Sequence, residues 1–171
     1  KAMAEMLQSY EHVLVISDEI YEHINFTQRH FTIASMEGMK DRTVIINGMS
    51  KGYAMTGWRL GYIAGPDWIA DACTKIQGQV TSGATSFGQK AAAIALESDH
   101  TPTHEMVKAF HQRRDLIISL LEQIPLLLVN RPQGAFYIFP DVSAYFGKTS
   151  TNGYHVRDAD DMSLYLLAEA G

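Results

Sequence analysis

Two short apolar runs, Val13-Leu14-Val15-Ile16 and Val44-Ile45-Ile46, constrain this chain more than any other feature. Each is the length of one strand and lacks the polar alternation of a half-exposed sheet, the pattern of strands buried on both faces. A third run, at 60–64, is closed by Gly65-Pro66, a strong local break. Helical patterns surround these runs. One covers 1–10, with Met3, Met6 and Leu7 on one face; another covers 66–79, started by Pro66 and Asp67; an alanine-rich one covers 86–96. The longest, 103–123, predicts Met106, Phe110, Ile117, Leu120 and Leu121 as inward positions. Strands alternating with helices predict an α/β fold built on a sheet. In such sheets ligands sit beyond the carboxyl ends of the strands. Asp18 and Lys51 both fall there.

The chain changes character near 98–103, which predicts one domain over 1–100 and another over 101–171. After Pro125 come strand-like pieces at 126–129 and 135–139, a glycine-bearing loop and a helix near 160–170. Neither an internal repeat nor a low-complexity stretch is visible. Residues 1–10 read as a helix in progress, and 164–171 as a helix reaching its terminal glycine, Gly171. Both ends therefore read as interior to a longer chain.

Bulk properties narrow the function classes. A hydrophobic fraction of 46% with 19% charged residues fits an ordinary globular protein. A net charge of −5 without a basic cluster argues against nucleic-acid binding. The most apolar run, 116–129, is interrupted by Glu122, Gln123 and Pro125 and is too short to span a membrane, and no signal peptide is visible. The single cysteine, Cys73, excludes an internal disulfide; it reads as a small buried apolar residue in a reducing, cytoplasmic setting. His100, His104 and His111, with Asp115, read as solvated positions rather than metal ligands, so no metal is expected. Tyr53, Trp58 and Tyr62 read as packing residues, and Met36, Met39, Met49 and Met55 as core filling.

Chemistry concentrates around Lys51 in Ser50-Lys51-Gly52-Tyr53-Ala54-Met55-Thr56-Gly57-Trp58-Arg59. A lysine in a desolvated, cation-lined pocket serves as nucleophile or base, and its amine can form a Schiff base with an aldehyde. Arg59 offers a planar two-pronged grip on phosphate, and Ser50 a hydroxyl. Asp18 offers a carboxylate, and Tyr21, three residues on, could face the same way. Each residue alone has a plainer reading: surface lysine for Lys51, helix cap for Asp18, packing for Tyr21, ion pairing for Arg59. It is the four in register that single out a site.

The segment Ser17-Asp18-Glu19-Ile20-Tyr21-Glu22-His23 and the lysine segment 47–66 resemble the cofactor-binding segments of the class I aminotransferases, enzymes of pyridoxal 5′-phosphate (PLP) with fold type I. The wording Ala54-Met55-Thr56-Gly57-Trp58-Arg59 is most similar to the bacterial aspartate aminotransferase branch. Gln133-Gly134-Ala135-Phe136-Tyr137 resembles the start of that family's small domain. The resemblance implies part of the PLP-dependent transferase fold: the C-terminal half of the large α/β domain over 1–100, then the interdomain helix and part of a smaller α+β domain over 101–171. It implies Lys51 as the Schiff-base lysine and proton carrier, Asp18 on the pyridine nitrogen, Tyr21 on the phenolic oxygen, and Arg59 on the phosphate. Many members carry a phosphate-binding serine three residues before the lysine. Here that position is Gly48, so the contact is absent or passes to Ser50. The implied activity moves an amino group between an amino acid, aspartate or similar, and a 2-oxo acid. The implied assembly is a homodimer, with 81–85 near the subunit interface. Other family features, including an arginine for the substrate carboxylate, would lie outside these residues, so they are expected to be inactive alone. The same four residues would also serve a PLP lyase or the PLP-sensing domain of a transcription regulator. An inert fragment with exposed apolar faces would self-associate.

Overall fold

A computed structural model describes residues 1–27 and 29–170, with side chains through 169; the expected helix end at Gly171 lies outside the described residues. The chain divides into two compact units, Lys1–Lys108 and Ala109–Gly171.

The first unit runs α1 (Ala2–Gln8), β1 (Val15–Asp18), β2 (Thr43–Gly48), β3 (Gly61–Ala64), α2 (Asp67–Val80) and α3 (Ser86–Glu97), and ends inside α4 (Thr101–Leu121). The strands form one sheet in the order β1-β2-β3. β1 and β2 are parallel, with Val15 opposite Thr43 and Asp18 opposite Ile46. β2 and β3 are antiparallel, with Ile45 opposite Ala64 and Gly48 opposite Gly61. The difference follows from the connections. A parallel pair needs a long crossover, which 19–42 supplies. Between β2 and β3 the only regular element is a 3₁₀ turn, Thr56–Trp58, so the chain simply returns beside itself.

The expectation of strands buried on both faces is met at the start of β2, where the neighbours Thr43 and Val44 are both buried, but not in β1 or β3. Val15 and Ser17 are half-buried, whereas Ile16 is 72% exposed, and every residue of β3 is exposed. α2 buries no residue, and Cys73 on it is exposed rather than packed. Ile24, Met39, Val44, Met49 and Leu60 form the core of this unit. Met39 and Met49 thus fill the core as expected, while Met36 and Met55 are half-buried. α1 buries Ala4 and half-buries Leu7, leaving Met3 and Met6 exposed. Arg42 ties α1 to the sheet: its guanidinium donates to the carbonyls of Leu7 (3.0 Å), Tyr10 and Val13 (3.0 Å from Nε). A cation here also suits the negative end of the α1 dipole.

In the second unit Ile118, not Ile117 or Leu120, is the buried position of α4. Phe110 stacks on Phe136 with ring centroids 5.3 Å apart, and Arg114 donates to the Pro132 carbonyl at 3.0 Å and to Asp115. The strand-like pieces at 126–129 and 135–139 do not form strands. Among the described residues their only ladder contact is the Leu128–Asp141 bridge, and Leu126 and Ala135 adopt left-handed backbone, φ 69° and 58°. β-propensity without a neighbouring strand leaves backbone groups to water or turns, so pairing partners decide the outcome. β4 (Lys148–Thr149) and β5 (His155–Val156) make a short hairpin that leads to α5 (Ala159–Ala170).

The start of α5 is a reciprocal cap. The Asp158 carboxylate accepts from the Asp161 amide at 2.9 Å, and the Asp161 carboxylate accepts from the Arg157 amide at 3.0 Å. Arg157 also grips Asp161 through Nε at 2.6 Å and a terminal nitrogen at 2.9 Å. Those guanidinium bonds, then the amide, hold the Asp161 carboxyl down at about 2 from its ordinary 3.8. A depressed carboxyl stabilises the fold above its unfolded value and loses that contribution as pH falls through its folded value. The cap is therefore expected to be complete above pH 3.8 and lost near pH 2. Carboxyl-carbon NMR of Asp161 should show its midpoint near 2; a midpoint near 3.8 would show that the cap does not hold in solution.

Candidate functional site

The mixed topology brings three chain segments to one end of the sheet. β1 and β2 both point their carboxyl ends there, at Asp18 and Gly48, and the antiparallel β3 begins there, at Gly61. Asp18, Ser50, Lys51 and Arg59 are therefore gathered by strand direction alone, although they come from separate segments. The 49–60 loop is closed at its base, where the Met49 amide donates to the Leu60 carbonyl at 3.2 Å.

Asp18 is the last residue of β1 and is exposed. Its Oδ1 accepts the Ile20 amide at 3.2 Å, so the capping use and an outward-facing carboxylate coexist. The chain then turns: the Glu22 amide donates to the Glu19 carbonyl at 2.9 Å, and the Ile24 amide to the Tyr21 carbonyl at 2.9 Å. This turn, rather than a helix, carries Tyr21 back to the sheet end. The Lys51 Nζ lies 5.9 Å from the centroid of the Tyr21 ring. The ring face favours a nearby cation, so these two predicted residues meet directly. Ser50 and Lys51 are both half-buried in the turn that follows β2.

Arg59 is exposed and adopts left-handed backbone, φ 54°. Its Nη1 donates to the Thr56 carbonyl at 2.9 Å. Ala54 is left-handed as well, φ 53°. Two non-glycine residues in this region within one loop represent stored backbone strain of the kind that collects at functional sites. Gly48, at the position of the missing serine, has no room for a side chain. A Cβ there would stand 2.7 Å from the Leu60 carbonyl oxygen and 2.8 Å from the Gly61 Cα. The strands approach too closely for any side chain, and Ser50 is the neighbouring hydroxyl. Gly52 is similarly confined, because its Cβ would meet the His23 ring at 2.5 Å.

Residues unassigned in the sequence surround this loop. The Thr103 hydroxyl donates to the Gly52 carbonyl at 3.0 Å in a buried setting. The rings of His23, Tyr53 and His100 form an edge-on triangle with centroid spacings of 5.2, 5.8 and 6.2 Å. Burial, then the Glu22 charge, pushes the Tyr53 phenol above its ordinary value. Burial alone would raise the Glu19 carboxyl, but hydrogen bonds from Thr32, His30 and Ser17 outweigh it and hold the group below the ordinary carboxylate value. His100 thus has a packing role, His111 sits 3.6 Å from Asp115, and among the described residues no three metal-ligating side chains converge. Trp58 and Tyr62 are not core residues. Both are exposed and line, with Arg59, Cys73 and Phe87, an open cleft of about 1860 Å³ that residues of β2, β3, α2 and α3 border.

Chemically, the sheet end offers an amine, a carboxylate, a phenol, a hydroxyl and a guanidinium. That set suits a ligand with an electrophilic carbon, a basic ring atom and an anionic tail.

Comparison with known proteins shows the family. The family model described as "Aminotransferase class I and II" matches residues 1–171. A bifunctional aspartate aminotransferase and glutamate/aspartate-prephenate aminotransferase of Petunia hybrida is 45% identical over 98% of this chain and 36% of its own length. An aspartate/prephenate aminotransferase of Cereibacter sphaeroides is 41% identical over 99% of this chain and 43% of its own length. The crystal structure of the aspartate aminotransferase from Rhizobium meliloti superposes with a TM-score of 0.93 at 38% identity, over 97% of this chain and 42% of that one. This chain thus spans well under half the length of each. Among the described residues no helix is long and apolar enough to cross a membrane. With the match running from the first residue to the last, the chain belongs to the class I and II aminotransferase family.

Proposed function

We propose that the protein bearing this chain is a PLP-dependent aminotransferase that moves an amino group between an amino acid, aspartate or similar, and a 2-oxo acid. The observation that carries this reading is the meeting of Lys51 and Tyr21, 5.9 Å apart, at the same sheet end as Asp18 and Arg59. The names of the relatives, aspartate/prephenate aminotransferases among them, support an acidic amino acid as one substrate.

When bound, PLP supplies an aldehyde for covalent attachment of amines and a ring that accepts electrons from the substrate's α-carbon. The Lys51 amine would hold the aldehyde and, when free, its Nζ would take the proton from the substrate's α-carbon and deliver it to the former aldehyde carbon. The Asp18 carboxylate would hold a proton on the pyridine nitrogen, and the Tyr21 hydroxyl would donate to the phenolic oxygen. Arg59 and the Ser50 hydroxyl grip the phosphate, with no contribution from Gly48, where a side chain has no room. We assign 1–100 to the PLP-binding large domain and 101–171 to the interdomain helix and part of the small domain. The working assembly in this reading is a cytoplasmic homodimer, with 81–85 near its interface.

The test is covalent. The protein in its full natural length is incubated with PLP, reduced with borohydride and mapped by peptide mass spectrometry. Label on Lys51 is the expected result. A protein without label, or with label scattered over surface lysines, would overturn the reading.

A further inference from the structure

Glu19 is enclosed beside the site, yet the reaction outlined above gives it no task. Its side chain is 6% exposed. Its carboxylate is fully engaged: Oε1 accepts from the Ser17 hydroxyl at 2.9 Å and from the Thr32 hydroxyl, and Oε2 lies 2.8 Å from His30 Nε2. Its backbone is engaged too. The amide donates to the Ile46 carbonyl at 2.8 Å, which extends the β1–β2 ladder one residue past Asp18, and the carbonyl accepts the Glu22 amide. Thr32, on the far side of this network, caps the 3₁₀ turn Ile33–Ser35 by accepting the Ala34 amide at 3.3 Å. One residue thus joins three things: the end of β1, the turn that carries Tyr21, and the remote segment 30–35.

A buried carboxylate is costly unless its oxygens are satisfied, and here three side-chain partners from both sides of the turn satisfy them. Such an arrangement fixes backbone position tightly, because any movement of the turn breaks several buried hydrogen bonds at once. The two residues that flank the anchor at one and two positions' remove are those assigned to the ring.

We propose that Glu19 is a positioning residue: by pinning the β1 turn to Ser17, His30 and Thr32, it sets where Asp18 and Tyr21 meet the cofactor ring. This rests on the reading of Asp18 and Tyr21 given above. It predicts that hydrogen-bonding capacity, not charge, is what matters. A glutamine at 19 still accepts from Ser17 and Thr32 and can donate to His30, whereas alanine does none of these.

The experiment compares the wild-type protein in full natural length with Glu19→Ala, Glu19→Gln and Thr32→Val. Three quantities are read: the Kd for PLP, the pH midpoint of the bound cofactor's visible absorption, and the borohydride-fixed label on Lys51. Glu19→Ala and Thr32→Val are expected to raise Kd on the order of tenfold, the lower end of what losing an outer hydrogen-bond partner does at metal sites. Both should move the midpoint by about half a pH unit or more, while Glu19→Gln stays close to wild type. A general loss of stability lowers the melting temperature but leaves that midpoint in place. A folded Glu19→Ala protein with unchanged Kd and midpoint overturns the proposal; should that variant not fold, an unchanged Thr32→Val does so. Label on Lys51 throughout, with no shift in any variant, would overturn the role of Glu19 alone. Absence of label in the wild type would overturn the site reading and this proposal with it.

Discussion

Replacing Lys51 with alanine is expected to lower transamination by roughly 10⁴-fold, the full scale of positioned proton transfer, and to abolish the borohydride-fixed label. The effect should be large because Lys51 is given two tasks, covalent tether and proton carrier. The variant should still fold, since Lys51 is half-buried and its loop is held by Gly52, Met49 and Leu60 through backbone contacts. Steady-state rates with aspartate and a 2-oxo acid, alongside circular dichroism, check this. Activity within tenfold of wild type would remove Lys51 from the chemistry.

The largest effect on stability is expected at Gly48. An alanine Cβ would stand 2.7 Å from one backbone atom and 2.8 Å from another, on a neighbouring strand. Backbone cannot turn aside as a side chain does, so the last β2–β3 pair must open. We expect Gly48→Ala to cost about 3 kcal/mol, the upper range for overpacking, read from urea midpoints at constant slope. Gly57→Ala is the matched control: nothing lies within 4 Å of its added Cβ, so about 1 kcal/mol or less is expected. Opening this pair should also loosen PLP binding, because Lys51 and Arg59 hang from the two strands that Gly48 and Gly61 join. Equal losses in the two variants would show that the close approach is not structural.

The strands and helices of the first unit were legible because each carries a local pattern: apolar runs at 13–16 and 44–46, a break at Gly65-Pro66 that also starts α2, and an alanine-rich stretch for α3. Chain direction was not. Whether 61–64 runs parallel or antiparallel depends on what connects it to β2, and apolarity carries no such information. Burial failed for the same reason at Ile16, Cys73 and Tyr62: pattern states which face is apolar, not what lies against it. The pieces at 126–129 and 135–139 failed because a strand is a property of two segments. In the site, Asp18, Tyr21, Lys51 and Arg59 were readable from spacing and resemblance. Glu19 was in view beside Asp18 but without a role, since its partners at 30 and 32 lie across a turn. Thr103 left no signal, being 51 residues from the carbonyl it holds.

The mixed sheet also ranks the entropy of assembling this site. Lys51 and Arg59 belong to a hairpin, whose closure involves only the 49–60 stretch. Asp18 and Tyr21 join through the parallel β1–β2 pair, whose connection, 19–42, is about twice as long. Each doubling of a flexible connection adds about 0.6 kcal/mol to the cost of bringing its ends together. The amine and the guanidinium are thereby the cheap half of the constellation and the carboxylate and phenol the dear half. Contacts such as those of Glu19, which act on the longer connection, recover the most order for each bond made.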